Sequence, residues 1–396
     1  MKSVNALITL IVASHGTNHM LQLIVPTLLP TMIKEFQMSN YLAGLVIACF
    51  IVPYSLLQIP FGYLSDRIGR RKIMILGLFL YSIGTLLSGL SQSVVMLGFT
   101  QFLAGVGGAF YHPIGIPLLF LAADEKSRGQ AMGFHQTGGA IGSVAAPLLS
   151  AYLAVAFGWR YSFISLSLLG FLGILAWIKV DARQLASHEG KRRENINTVL
   201  FNSKTMRLIV LIFIFGLVHV ISYRGLTPFL TTYTTRKFGL SLESAAQLLS
   251  LMQIMGIFGS PLFGRLSDKT GRRLMLAIIL VAESVIMYLI TIASLESLVI
   301  LLGAMGLIAF GCLTLTDAWI PEMCVPSILG TVIGVLLSAS FFSGAIVTPT
   351  IGYVADQVGF DYAFRILSVI TLLGLPMLKI VKYGADNRPP TTGMKN

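Results

Sequence analysis

Four polar side chains interrupt an apolar stretch near the start of the sequence: His15, Asn18, His19 and Gln22. At 100° per helical residue they fall within about 100° of arc, so a helix presents them as one stripe. A second group follows 202 residues later, where Arg224 occupies the position of Gln22 and His219 and Tyr223 lie on neighbouring turns. Gly225 and Pro228 can loosen a helix there and free carbonyls for a ligand. A guanidinium in an apolar segment needs an anion. It finds one either in an internal carboxylate, Asp317 or Glu283, or in an anionic solute. Those two carboxylates are also the candidates for carrying a proton, since a carboxyl group moved between buried and watery surroundings can take one up and release it. Asp317 is the stronger candidate, and a structural hydrogen bond is the plainer reading of Glu283. Tyr111-His112 and His135-Gln136 add further polar groups, and each imidazole can titrate near neutrality, although a lone buried histidine is most often simply hydrogen-bonded.

The elements that position these groups follow from composition. Of 396 residues, 55% are hydrophobic and only 11% charged, too few charges to cover a water-soluble surface. A membrane-crossing helix needs about 20 apolar residues. About twelve such stretches begin near residues 6, 41, 73, 94, 128, 160, 207, 244, 274, 297, 328 and 360. The net charge of +12 does not point to nucleic acid, because the basic residues fall in short loops between spans. With a cytoplasmic N-terminus, Arg67, Arg70, Arg71, Lys72, Lys126, Arg128, Lys269, Arg272 and Arg273 lie inside, whereas Lys34, Arg160, Arg236, Lys237 and Arg365 lie outside. That asymmetry orients the chain by the positive-inside rule, with both termini cytoplasmic and the cell membrane as its site. Cys49, Cys312 and Cys324 form neither a disulfide framework nor a metal-ligand spacing, and no cofactor or metal is expected.

The two halves are copies. Gly62-Tyr-Leu-Ser-Asp66-Arg67-Ile-Gly69-Arg70-Arg71 returns as Gly264-Arg-Leu-Ser-Asp268-Lys269-Thr-Gly271-Arg272-Arg273. Gly105, Gly129, Gly133, Gly158 and Phe163 match Gly306, Gly330, Gly334, Gly359 and Phe364. Pro26 and Phe36 match Pro228 and Phe238, so the first stretch reads as a retained span and not a cleaved leader. Six spans per copy give both halves the same orientation, a parallel repeat about an axis along the membrane normal. The expected organisation is an all-α membrane protein: a six-helix bundle over residues 1–180, a cytoplasmic linker over 181–206, a second bundle over 207–383 and a tail over 384–396.

The repeated G-x-L-a-D-r-x-G-r-r pattern resembles motif A of the major facilitator superfamily, and the resemblance covers essentially the whole chain. It implies two bundles rocking about a central cavity lined by spans one, four, seven and ten. It also implies a latch in which Asp66 sits near the start of span eleven and Arg70 pairs with Asp124. Asp268, Arg272 and Glu322 would form the second copy. A purely topogenic role for these basic loops is the alternative; Gly62 and Gly69 weigh against it, since charge alone needs no glycine. Span five, with Gly133, Gly142, Ala146-Pro147 and Ser150-Ala151, resembles the motif C of proton-coupled exporters, with three glycines replaced by small residues. Gly344, Pro349 and Gly352 echo it loosely in span eleven. Span four departs from motif B, since Gln101 stands where that pattern has an arginine. Phe110-Tyr-His-Pro113 together with Gly133-Phe-His135-Gln-x-Gly138-Gly139 is similar to fosmidomycin-resistance-type exporters.

These features predict a monomeric secondary transporter that moves a small organic solute by alternating access, coupled to protons. Export of drugs or metabolites leads, and import of a small organic anion follows. A non-transporting sensor would carry a signalling extension, a degraded motif A or an apolar cavity, and none is visible. No nucleophile–base pair or phosphate loop suggests an enzyme.

Overall fold

A computed structural model describes residues 4–124, 127–180, 203–324 and 329–386. The linker over 181–202 and the tail from 387 lie outside the described residues. Twelve spans run through the remainder. Span one is Val4–Gln22 continued by Ile24–Phe36, and span two is Asn40–Leu56 continued by Gln58–Ile68. Span three is Arg70–Gly89, span four Val94–Gly108 and Tyr111–Ala122, span five Arg128–Phe157 and span six Trp159–Ile178. Span seven is built from Ser203–Val218, Ile221–Leu226 and Leu230–Phe238. Spans eight to eleven are Leu242–Thr270, Arg272–Ile290, Leu295–Glu322 and Leu329–Val358. Span twelve is Phe360–Thr371 with Gly374–Asp386. Among the described residues, nine helices are individually long and apolar enough to cross a membrane, and eleven when spans two and seven each count as one bent rod. The split first span makes the twelfth.

Local chemistry sets the ends. Ser39, Ser93 and Ser241 cap spans two, four and eight, each side chain accepting a hydrogen bond from a backbone N–H three residues on. The turns after spans two and eight reverse at Gly69 (φ 103°) and Gly271 (φ 87°), a left-handed conformation that glycine adopts without a Cβ clash. Charge alone would not have required those residues. Span seven bends by 46° between Val218 and Ile221, and a short 3₁₀ turn at Thr227–Phe229, containing Pro228, interrupts it again. Span two bends by 47° after Leu56, three residues beyond Pro53, whose ring removes a helix hydrogen bond.

The repeat is visible in packing as well as in sequence. A methyl group on Gly105 would stand 2.2 Å from the Phe50 carbonyl oxygen, fixing span four against span two. A methyl on Gly306 would stand 2.0 Å from the Met252 carbonyl oxygen, fixing span ten against span eight. Phe50 and Met252 are 202 residues apart, so each half makes the same backbone-to-backbone crossing, close enough that only glycine fits. Span one packs on span five in the same way, with Gly142 against the Gly16 carbonyl and Gly138 against that of Val12. Of the motif C-like glycines, Gly142 therefore serves helix contact within the first half, whereas Gly133 has open space beside it. Between halves, span two crosses span eleven and span five crosses span eight.

Candidate functional site

A cavity of about 580 Å³ lies between the halves. Its wall includes His15, His19, Gln22, His112, Gln136, Tyr223, Arg224 and Asp317, so eight of the side chains singled out in the sequence converge there. Asn18, Tyr111, His135 and His219 do not line it. They stand one layer behind, because each is turned to a backbone or aromatic partner. Glu283 is also away from it, fully buried on span nine and facing Ser222, whose hydroxyl is bonded to Thr371 at 2.6 Å.

Histidines form the wall of the first half. His15 Nδ1 lies 2.7 Å from the His135 carbonyl oxygen, and a carbonyl can only accept, so Nδ1 carries the proton. That leaves His15 Nε2 as a lone pair, 3.0 Å from His19 Nε2. The His135 ring stacks on His15 with centroids 3.8 Å apart, and His112 meets His15 edge-on at 5.4 Å. Gly139 makes room for the stack, since a methyl group there would come within 2.6 Å of the His15 ring. Asn18 braces this wall: its amide donates to the Gly108 carbonyl (3.2 Å) and its oxygen accepts from the Tyr54 hydroxyl (3.1 Å). Tyr111 donates to the Ile11 carbonyl. The polar stripe predicted on span one therefore has two roles, His15, His19 and Gln22 facing the cavity and Asn18 tying span one to spans two and four.

A single guanidinium dominates the opposite wall. Arg224 Nε donates to the Ser340 carbonyl at 3.2 Å, and its plane lies 4.3 Å above the Phe341 ring. It interacts electrostatically with His19 and His112 across the cavity. Among the described residues, no carboxylate comes within ion-pair distance of it. Asp317 lies elsewhere in the wall and is exposed to the opening. Of the two anions considered from sequence, an internal carboxylate is thus not the partner in this state. Tyr223 turns aside to donate to Gln253 (3.2 Å), and His219 hydrogen-bonds the Phe215 and Gly216 carbonyls of its own helix.

Sequence reasoning missed the span-eleven residues Ser340 and Phe341, which hold Arg224, and Phe310 of span ten, which stands edge-on to Tyr223. An aromatic in an apolar stretch gives no signal of its own. Trp319 is buried edge-on against Phe215. Gln101, at the arginine position of motif B, donates to Ser88 at 2.9 Å.

Among the described residues, the hydrogen bonds between the halves are confined to one side of the cavity and to mid-depth. Asp356 of span eleven accepts from the backbone N–H groups of Asn40 and Tyr41, and from the Asn40 amide, at 2.7–2.9 Å. Arg236 donates to Asn40, Thr231 to the Pro26 carbonyl and Ser250 to that of Val144. All of these lie on the cavity side away from the basic turns, or at mid-depth. At the basic turns, the ion pairs among the described residues stay within one half. Arg70 pairs with Asp66 at 3.0 Å. Arg272 pairs with Asp268 at 3.3 Å and with Glu322 at 2.5 Å. The expected Arg70–Asp124 pair is absent; the Asp66 carboxylate one helical turn away takes that guanidinium, and Asp124 is exposed. Arg67 lies over the Tyr63 ring, and Arg71 donates to the Trp177 and Ile178 carbonyls at the end of span six. Among the described residues, a methyl group on Gly264, like one on Gly133 or Gly334, would meet nothing within 4 Å, whereas Gly62 abuts Pro113. The cavity therefore opens toward the face that carries the repeated basic motif.

Comparison with known proteins adds the following. The sequence model of the Major Facilitator Superfamily matches residues 10–282 and 212–395. An uncharacterized MFS-type transporter, YfnC, of Bacillus subtilis is 25% identical over 91% of this chain and 89% of its own. The fosmidomycin resistance protein of Escherichia coli is 24% identical over 95% and 91%. The putative niacin/nicotinamide transporter NiaP of B. subtilis is 27% identical over 81% of each. In fold, a bacterial homolog of the human lysosomal transporter Spinster, crystallised inward-facing and unoccupied, superposes with a TM-score of 0.83 at 16% identity, covering 98% of this chain and 99% of that one.

Proposed function

The chain belongs to the Major Facilitator Superfamily, and on that premise we propose that it is a proton-coupled exporter of a small organic anion, working by alternating access in the cell membrane. One observation carries the choice of cargo: Arg224 stands in the cavity wall with no carboxylate beside it among the described residues. A desolvated cation is costly, and the solute is the anion that offsets it. The opposing imidazoles, Gln22 and Gln136 offer hydrogen bonds, and Phe310, Phe341, Ile51 and Leu313 offer apolar surface. A cavity that is mostly apolar with a few convergent polar groups suits a small organic molecule.

The basic face is assigned to the cytoplasm, which makes this state open to the inside, with Asp66 and Arg70 as parts of a latch whose pair with Asp124 is released in it, while the second copy keeps Arg272 on Asp268 and Glu322. Asp317, near the mouth, is the group proposed to exchange a proton. The motif C-like run through Pro147 favours export, and so do relatives named for fosmidomycin and multidrug resistance. Gln101 favours the second reading, import of a small organic anion, because it lacks the charge found there in the exporter pattern. Membrane vesicles decide between them. Export predicts that inside-out vesicles accumulate an organic anion when a proton gradient is imposed; uptake confined to right-side-out vesicles means import.

A further inference from the structure

We propose that His15, His19 and His112 form a site for a late first-row divalent metal ion, of the zinc or nickel kind, on the first-half wall of the cavity. Each of these residues offers one ring nitrogen, and the three nitrogens lie within 4.8 Å of one another. Ligand nitrogens stand about 2.0–2.1 Å from zinc, so two of them on a tetrahedral ion are about 3.3 Å apart. His15 Nε2 and His19 Nε2, at 3.0 Å, already have nearly that separation; the proton that His19 Nε2 gives to this hydrogen bond moves to His19 Nδ1 when the ion binds. A ring nitrogen of His112 completes the triangle, and the Nε2 of that ring is buried with no hydrogen-bond partner among the described residues.

The surroundings prepare the site in two ways. The His135 carbonyl holds the proton of His15 on Nδ1, which fixes the tautomer and turns the Nε2 lone pair toward His19. A hydrogen bond from the far ring nitrogen to a carbonyl is the usual support of a metal-bound histidine. The Tyr111 ring, stacked on His15 at 5.1 Å and anchored through its hydroxyl to Ile11, limits rotation of that imidazole. Three neutral imidazoles without a carboxylate select zinc, nickel or copper over magnesium or calcium. All three ligands belong to the cavity wall, so the fourth coordination position faces the space where a solute sits. Arg224 interacts electrostatically with His19 and His112 from across that space, which lowers affinity for a bare dication and favours one that shares a donor atom of an anion with the guanidinium.

The test uses the full-length chain in detergent, without an affinity tag. Zinc content after gel filtration and a Co2+ titration followed by visible absorption are measured on it. One ion per chain is expected, with the absorption of tetrahedral nitrogen-ligated cobalt, unaffected by excess Mg2+. His19→Ala and His112→Gln should each weaken binding at least about tenfold. Arg224→Gln should retain one ion per chain even as anion binding is lost, so the metal site and the cargo assignment fail independently. Absence of stoichiometric metal in the unaltered protein overturns the proposal, as does binding that persists undiminished in both histidine variants.

Discussion

Replacing Arg224 with glutamine tests the cargo assignment most directly, because two magnitudes diverge. In the structure the side chain contributes one hydrogen bond to the Ser340 carbonyl, a ring contact with Phe341 and a longer one, at 5.9 Å, with Tyr223. Together these are worth about 1–2 kcal/mol. Had Arg224 been paired with a buried acid, its removal would cost about 3–5 kcal/mol by stranding that acid. The expected thermal shift is therefore only a few degrees, with expression unchanged. The effect on the ligand is larger. Nε is already committed, which leaves the two terminal amino groups free for the solute. A charge-assisted hydrogen bond from guanidinium to carboxylate is worth about 2–3 kcal/mol, so affinity for an organic carboxylate should fall roughly 30- to 150-fold. An uncharged amide of the same shape loses only a neutral hydrogen bond of about 0.5–1 kcal/mol, a two- to fivefold effect of that order. Isothermal calorimetry on purified protein, with an aromatic carboxylate and its amide, measures both. Equal losses for the two compounds would refute the reasoning. Disappearance of folded protein would show instead that Arg224 holds the fold.

Arg224→Lys should recover only part of the carboxylate affinity, since an ammonium keeps the charge but not the planar fork that lies over Phe341; the same calorimetry reads it. Asn18→Ala orphans the Tyr54 hydroxyl and the Gly108 carbonyl and should cost about 2–4 kcal/mol, seen as a lowered melting temperature. Gly142→Val forces side-chain atoms onto the Gly16 carbonyl, which a single methyl would already meet at 2.0 Å, and should abolish folded protein on gel filtration. Asp356→Ala removes three hydrogen bonds that join span eleven to the start of span two; a cysteine at Tyr41 should then label several-fold faster from outside intact cells, and an unchanged rate would show that these bonds do not hold the halves together there.

The scaffold was legible because it is written twice. The Gly69 and Gly271 turns and the Gly105 and Gly306 crossings occur at matching offsets, and only backbone geometry, which glycine records in the sequence, requires them. Helical spacing likewise placed His15, His19 and Gln22 on one face. It could not separate them from Asn18, because a stripe defines a direction and not what stands there; Tyr54 claims Asn18 from the neighbouring span. His219 looked equivalent to the cavity residues, but the 46° bend that follows Val218 leaves its ring bonded to its own helix and stacked on Phe215. The convergence of His112 on the span-one histidines comes from tertiary packing across some ninety residues of chain, which periodicity does not encode. The partner of Arg70 was not legible because an acid one helical turn away, Asp66, competes with one in another helix, Asp124.

The unmatched guanidinium also bears on leakage. A vacant carrier that tries to change over must shut its walls on a bare positive charge, and the penalty for dehydrating one is several kcal/mol. A carrier holding an anion meets no such obstacle. On the proposed anion-carrier reading, idle turnover is throttled by electrostatics in the chamber itself, in addition to the latch at the basic turns, and one arginine ties movement of the bundles to the presence of a passenger.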